Sequence, residues 1–496
     1  MHLGELGSWA DAALEAVLTA RAGAGAGGRL EHGEVRAVAE DGESVDVRDD
    51  RVEGLARTSS RGVGVRVLVD GAWGFAATSV LTGRSLRATV DRAIEIARAS
   101  SMVRRDELAV VLDDSPPAVG RYETPAERDP LEVPPGDKVE HLLAAAALAS
   151  GIPGVAYAEA TTDAWRRRTA FRSTAGGRAD QSVLQVGGGI VVYAIGDGEV
   201  QRRSYPNSFR GQFVTGGWEC VLRDDLPGHA EQTAREAVAL LAAPDLPHRE
   251  NATVLLESSQ LALQVHESIG HAVELDRILG MERAYAGTSF VQVGDRDRLR
   301  YGSPLVTVTA DATTPGGLGT FGFDDEGVPA GTATIVSSGM LQGFLSNRET
   351  AARIGERSNG TARADSWGTI PLIRMNNVHL QPGPDEVGLT QLVADTSDGF
   401  LFLTNRSWSI DDRRSNFQFG CEAAYEIRAG QLGRLFRNPT YAGLTTGFWR
   451  SCDALGGRSD WRVWGTPNCG KGQPGQVARV AHGAPTGRFR ATVGVR

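Results

Sequence analysis

Cysteine is scarce: four thiols, Cys220, Cys421, Cys452 and Cys469, are scattered over 496 residues. That is no disulfide framework, and in a reducing compartment a singled-out cysteine reads as a metal ligand or a core filler. Long apolar runs are missing too. No stretch approaches the ~18 uncharged apolar residues of a membrane span, and Met1 to Leu6 lacks the basic and apolar regions of a signal peptide, so a cytoplasmic protein with no membrane partner is expected. Positive charge is in deficit. With 52 Lys and Arg against 61 Asp and Glu, a formal charge of -9 and a pI near 5.6, the chain has no global basic field to grip a phosphate backbone, which argues against nucleic acid as the main partner.

Length and glycine are in excess. At 496 residues the chain passes the roughly 250 to 300 at which a single core stops growing, so more than one domain is expected. Its 62 glycines exceed the ~7% norm and predict many turns and hairpins. Residues 9–22 have the pattern of an amphipathic helix, and Gly23 to Gly28 read as a loose connector. Strand-like runs follow at 44–48 and 62–69, the second ending in Asp70-Gly71, the dipeptide of a type I′ hairpin turn, with Trp73 and Phe75 on the return strand. A helix is expected over 84–100. The passage from Ser115 to Gly136, with six prolines, reads as an extended crossing. Asp137-Lys138-Val139-Glu140 has the spacing of a capping box for a helix ending near Ser150, and alternating segments from 156 to 222 suggest antiparallel strands.

Pro227-Gly228, ahead of a new helical stretch, places a boundary near residue 225. The expected class is therefore α+β. An N-terminal α/β domain, 1–225, with subsegments of about 1–110 and 111–225, holds a curved antiparallel sheet. A β-rich C-terminal domain, 226–496, carries one prominent helix.

That helix holds the chemistry. It follows a strand at 253–256 and a serine pair suited to capping, Ser258-Ser259, and its stripe of Leu261, Val265, Ile269 and Val273 faces a core. His266, Glu267 and His271 lie off or at the edge of the stripe. Two histidines and a glutamate so close suggest a catalytic zinc site, but the histidines are five positions apart. On a regular α-helix an i, i+5 pair diverges by ~140°, whereas a π turn of ~4.4 residues brings it within ~50°. A π-bulge or kink near Gly270, which has no Cβ to resist distortion, is expected.

A catalytic zinc takes three protein ligands and keeps an open position. For the third ligand, Cys469 in the glycine-flanked turn Thr466-Pro467-Asn468-Cys469-Gly470-Lys471 is the first candidate, with Glu274 next. Glu267 would be the general base. A closed structural zinc site would have four protein ligands and no use for Glu267. Asp324-Asp325-Glu326 reads as a solvated turn, with a substrate amino terminus or a second cation as the functional alternative. Arg202-Arg203 and Arg413-Arg414 read as solvated charges, and His379 as structural.

Several motifs in order resemble the TldD branch of the TldD/PmbA metallopeptidases. They are Arg61-Gly62-Val63-Gly64-Val65-Arg66 with Gly71-Ala72-Trp73-Gly74-Phe75, His266 to His271, Phe323 to Pro329, Ser358-Asn359-Gly360 leading to Arg374-Met375-Asn376-Asn377, and Cys469-Gly470-Lys471. The resemblance implies a zinc peptidase with ligands His266, His271 and Cys469 and the catalytic carboxylate Glu267. It also implies unfolded polypeptides or peptides as substrates, and an active site enclosed in a homodimer or in a heterodimer with a PmbA-like subunit. One stretch departs from it: Asn405 to Asn416 is more charged than the glycine-rich segment expected there. Two other readings remain open, a zinc amidase or esterase acting on small molecules and a non-catalytic binding subunit of a TldD/PmbA-type complex.

Overall fold

The computed structural model describes residues 2–22, 29–196 and 198–495; the Gly23 to Gly28 connector lies outside them. A helix, α1 (Leu3–Ala22), precedes two long strands, β1 (Leu30–Arg48) and β2 (Arg51–Val69). Asp70 and Gly71, with φ of 46° and 70°, turn β2 into β3 (Ala72–Thr78), because a two-residue turn of this kind matches the twist of its strands. After α2 (Gly83–Val103), β4 (Val119–Glu123) and α3 (Pro135–Ser150), a second long hairpin joins β5 (Val155–Ser173) to β6 (Arg178–Gly196). The sheet order is β3-β2-β1-β5-β6-β4, antiparallel but for the β4–β6 pair, and β7 (Glu199–Tyr205) and β8 (Gln212–Thr215) also pair with β6.

Side chains alternate across a strand, and the odd-numbered residues of β1 fill one face. Val35, Ala37 and Ala39 pack with α1 and α2, while Val45 and Val47 pack with α3 and the helix Leu226–Ala242. All four helices therefore cover the same face, including the one that begins beyond the expected boundary at 225. The capping box expected at Asp137 is not what starts α3. Pro134 occupies the cap without a side-chain bond, Pro135 opens the helix, and Lys138 is buried against Glu43.

The even-numbered face is charged, and it meets the C-terminal half. Arg66 donates Nε to Glu34 at 2.6 Å and Nη2 to Glu326 at 2.8 Å, and Arg36 lies 3.4 Å from Asp325. Asp324, Asp325 and Glu326 are thus not the solvated turn that was expected. All three are buried, two of them against arginines of the first sheet, and Asp324 accepts the N–H groups of Glu326, Val328 and Ala362. Arg203 departs from expectation in the same way, buried 3.1 Å from Glu422.

In the C-terminal half the strands Asp398–Ile410, β9 (Arg249–Leu256), Gly487–Val493, Thr440–Leu444 and Asn416–Arg428 lie in that order, and pairing of the first with the last closes them into a ring. Leu261, Ile269, Phe402, Tyr441 and Phe489 belong to the apolar core of this half. A separate two-stranded ribbon, Arg462–Lys471 with Gln476–Ala484, lies beside it. Together these features make the molecule α+β. Among the described residues no helix is long and apolar enough to cross a membrane.

Candidate metal centre

Directly after β9, Glu257 caps the helix Ser258–Val265 by accepting the Ser259 N–H at 3.0 Å. The serine pair sits one residue later than its expected capping position, and Ser258 bonds the Ala484 carbonyl instead, at 2.6 Å. The helix then widens. Residues His266–Gly270 form a π turn in which the His271 N–H bonds the His266 carbonyl, and the two imidazoles come within 4.9 Å, ring centre to ring centre. The expected widening is therefore present, but Gly270 serves it differently. Its φ of -50° is ordinary for a helix, and what a Cβ there would meet is the sulfur of the buried Met375.

Among the described residues one group of metal-binding side chains converges: His266, His271 and Cys469, all buried, with ligand atoms within 4.8 Å of one another. The Cys469 Sγ lies 3.5 Å from His271 Nε2. A tetrahedral zinc bound at ordinary Zn–N and Zn–S lengths separates its ligand atoms by roughly 3.3 to 3.7 Å, so this pair already has the required spacing.

The outer atoms of both imidazoles are committed. His482 Nδ1 faces the Val378 carbonyl at 3.0 Å, and since a carbonyl only accepts, that nitrogen carries the proton. His482 Nε2, 2.7 Å from His266 Nδ1, must then accept the His266 proton. His271 Nδ1 donates to Glu274 Oε2 at 2.8 Å. Each ligand histidine is thereby left with a bare Nε2 lone pair, the form a metal needs.

Charge supports the same assignment. Burial holds the His266 imidazole below its ordinary pKa, against the pull of Glu267 and Glu274. For Cys469 burial acts upward, but the positive charge of His271, when that ring is protonated, and of Arg374 outweighs it and lowers the thiol. The other three thiols are all raised, chiefly by burial, with Cys452 pushed up to about 12. Cys469 is thus the one thiol of the four poised to be a thiolate. Arg374 also bonds the Cys469 carbonyl, fixing the strand. Glu274 is turned toward His271 and Lys471, 3.3 Å from the latter, not into the site as a ligand.

Glu267 lies between these groups. Burial acts to raise its pKa, and His266, His271 and Arg414 together bring it below the ordinary value. Arg414 was expected to be a solvated charge. Instead its Nη1 donates to Glu267 Oε2 at 2.7 Å, with its side chain 15% exposed. It sits in a turn whose Asp411 carboxylate accepts the N–H groups of Ser415 and Asn416, and which residues 288–290 clamp through the carbonyls of Asp412 and Arg413. His482, Glu274 in its actual role, Lys471 and Arg414 are the parts that spacing rules did not reveal. Only the unusual charge of 405–416 hinted at the last.

Comparison with known proteins finds relatives among metallopeptidases. Residues 249–493 match the model of the PmbA/TldA metallopeptidase C-terminal domain, and residues 33–97 match that of domain 1 of the same metallopeptidases. The chain is 27% identical over 462 residues to a protein of Methanothermobacter thermautotrophicus named a metalloprotease, covering 93% of this chain and 95% of that one. It is 23% identical over 237 residues to a zinc metalloprotease TldD homolog of Saccharolobus solfataricus, covering 47% and 48%. The crystal structure of TldE from Thermococcus kodakarensis superposes with a TM-score of 0.70 at 16% identity, covering 94% of this chain and 97% of that one, a likeness of fold.

Proposed function

The chain belongs to the PmbA/TldD metallopeptidase family, and on that premise we propose that it is a zinc-dependent peptidase of the TldD-like catalytic branch. Its substrates are unfolded polypeptides or peptides, its metal ligands are His266, His271 and Cys469, and its general base is Glu267. The observation that carries this reading is the convergence of His266, His271 and Cys469, all buried and with ligand atoms within 4.8 Å of one another, beside the buried carboxylate of Glu267. Zinc, when bound there, supplies Lewis acidity toward the scissile carbonyl and the attacking water.

The remaining work falls to side chains. Glu267 has one oxygen held by Arg414, which leaves Oε1 to take the proton of the attacking water and pass it to the leaving amine. Arg414 keeps that carboxylate ionised and oriented. The family resemblance further implies work as a dimer, with a second copy or with a TldE-like subunit.

The test compares wild type with Glu267→Gln on a pool of unstructured peptides, with bound zinc measured in both. Equal zinc and cleavage by the wild type alone are expected. Zinc without cleavage in either protein, alone or with a TldE-like partner, would replace this reading with that of a binding subunit.

A further inference from the structure

Away from the metal centre, a cavity of about 220 Å³ lies between β5 and β6 of the first sheet and the ribbon that carries Cys469. Three arginines line it, Arg167, Arg363 and Arg479, together with Trp165 and Phe321. Two of the three are engaged. Arg167 donates to the carbonyls of Ala364 and Asp365 at 2.8 and 3.1 Å and faces Asp325 at 3.5 Å. Arg479 donates to Glu40 at 2.9 Å and lies 4.2 Å over the Trp165 ring.

Arg363 differs. Its Nη1 donates to the carbonyls of Met375 and Arg479 at 3.0 and 2.8 Å, and among the described residues it pairs with no carboxylate. Nε and Nη2 carry no hydrogen bond, and neither is among the polar atoms sealed from solvent, so both open on the cavity. Burial and then the neighbouring Arg374 push this guanidinium down to about 9, with Asp325 as the opposing charge. Nε and Nη2 form one edge of the guanidinium, two parallel N–H donors at the spacing of a carboxylate's two oxygens.

We propose that this cavity is a carboxylate-binding site, with the free Nε/Nη2 edge of Arg363 as its receptor. One uncompensated cation calls for one negative charge. Asp324, Asp325 and Asp365 in the same wall disfavour a dianion such as phosphate. The volume admits a group the size of a peptide end or a small free acid. Ala478, in the wall, is the register partner of Cys469, so the occupant sits one ribbon away from the metal ligand.

Binding is measured by calorimetry on the zinc-loaded full chain, in a Glu267→Gln background so that no peptide is consumed. The probes are N-acetylglycine and two peptides that differ only in a free or amidated C-terminus. N-acetylglycine is expected to bind saturably, and Arg363→Met, with zinc content and circular dichroism unchanged, to bind it at least about tenfold more weakly, with Arg363→Lys between. If the natural occupant is a peptide carboxylate, amidation weakens peptide binding about tenfold, and only while Arg363 is present. If it is a free acid, amidation changes nothing and N-acetylglycine still binds. No saturable binding of N-acetylglycine and no effect of amidation, or equal binding by Arg363→Met, overturns the proposal. Should that variant fail to fold, Arg363→Gln replaces it. The N-acetylglycine arm requires no cleavage, so its outcome is separate from that of the peptidase reading, on which only the peptide arm rests.

Discussion

At the scale of single residues, the proposed metal centre depends on groups outside its ligand set. Glu274 fixes which nitrogen of His271 carries the proton, and it is itself held ionised, against its burial, by Lys471 and His271. Outer-shell partners of this kind are worth roughly 10- to 100-fold in metal affinity, so Glu274→Gln should weaken zinc binding by that factor in competition with a chromophoric chelator. An unchanged affinity would mean that Glu274 does not orient His271. His379 gives a different kind of prediction. Burial holds its pKa down to about 4, and the neutral ring accepts the Gly483 N–H at 2.6 Å and faces the Thr314 hydroxyl at 2.8 Å. A depressed folded pKa contributes stability that is present above the ordinary value of 6.5 and lost as pH falls through 4. The loss is about 3 kcal/mol at most. Unfolding midpoints of wild type and His379→Gln between pH 7 and 4 should converge as pH falls; parallel curves would refute the assignment.

At the scale of elements, the π turn at His266–Gly270 is what lets one helix bring together the two proposed ligands, His266 and His271, five positions apart. Gly270→Ala drives a methyl group into Met375 and should cost about 1 to 3 kcal/mol, with a parallel loss of zinc affinity, both read by denaturation with and without metal. If stability falls and affinity does not, the turn tolerates the strain. Local pattern made much of this legible beforehand: the histidine spacing demanded a widened turn, Asp70-Gly71 demanded a tight one, and the apolar stripe placed the helix against a core. Caps were harder to read, because Pro134 and Glu257 took the cap positions ahead of nearby residues of better cap chemistry. What could not be read are contacts made by packing over long stretches of chain. His482 lies 216 residues from His266, and Arg414 lies 147 from Glu267; no periodicity links such pairs. The Asp324 to Glu326 turn looked like surface for the same reason, since its arginine partners are on another sheet.

At the scale of the molecule, the two halves meet through buried charge as well as through small apolar clusters such as Phe171 with Phe323 and Val183 with Phe321. Arg66 is shared between Glu34 and Glu326, with side-chain exposures of 8%, 2% and 1%. Removing it leaves Glu34 with only His32, 3.5 Å away, and Glu326 with only backbone N–H partners such as Arg348, and breaking a buried pair in this way typically costs about 3 to 5 kcal/mol. Arg66→Met should therefore lower the denaturation midpoint by about that amount, whereas a loss below about 1 kcal/mol would mean that water or other arginines make good the pair. The long span between ligands also sets the timing of assembly. His271 and Cys469 are 198 residues apart, and at about 5 to 20 residues per second of synthesis the histidine pair leaves the ribosome roughly 10 to 40 s before its thiolate partner exists. A nascent chain thus carries an incomplete set of the three proposed donors until Cys469 has been added.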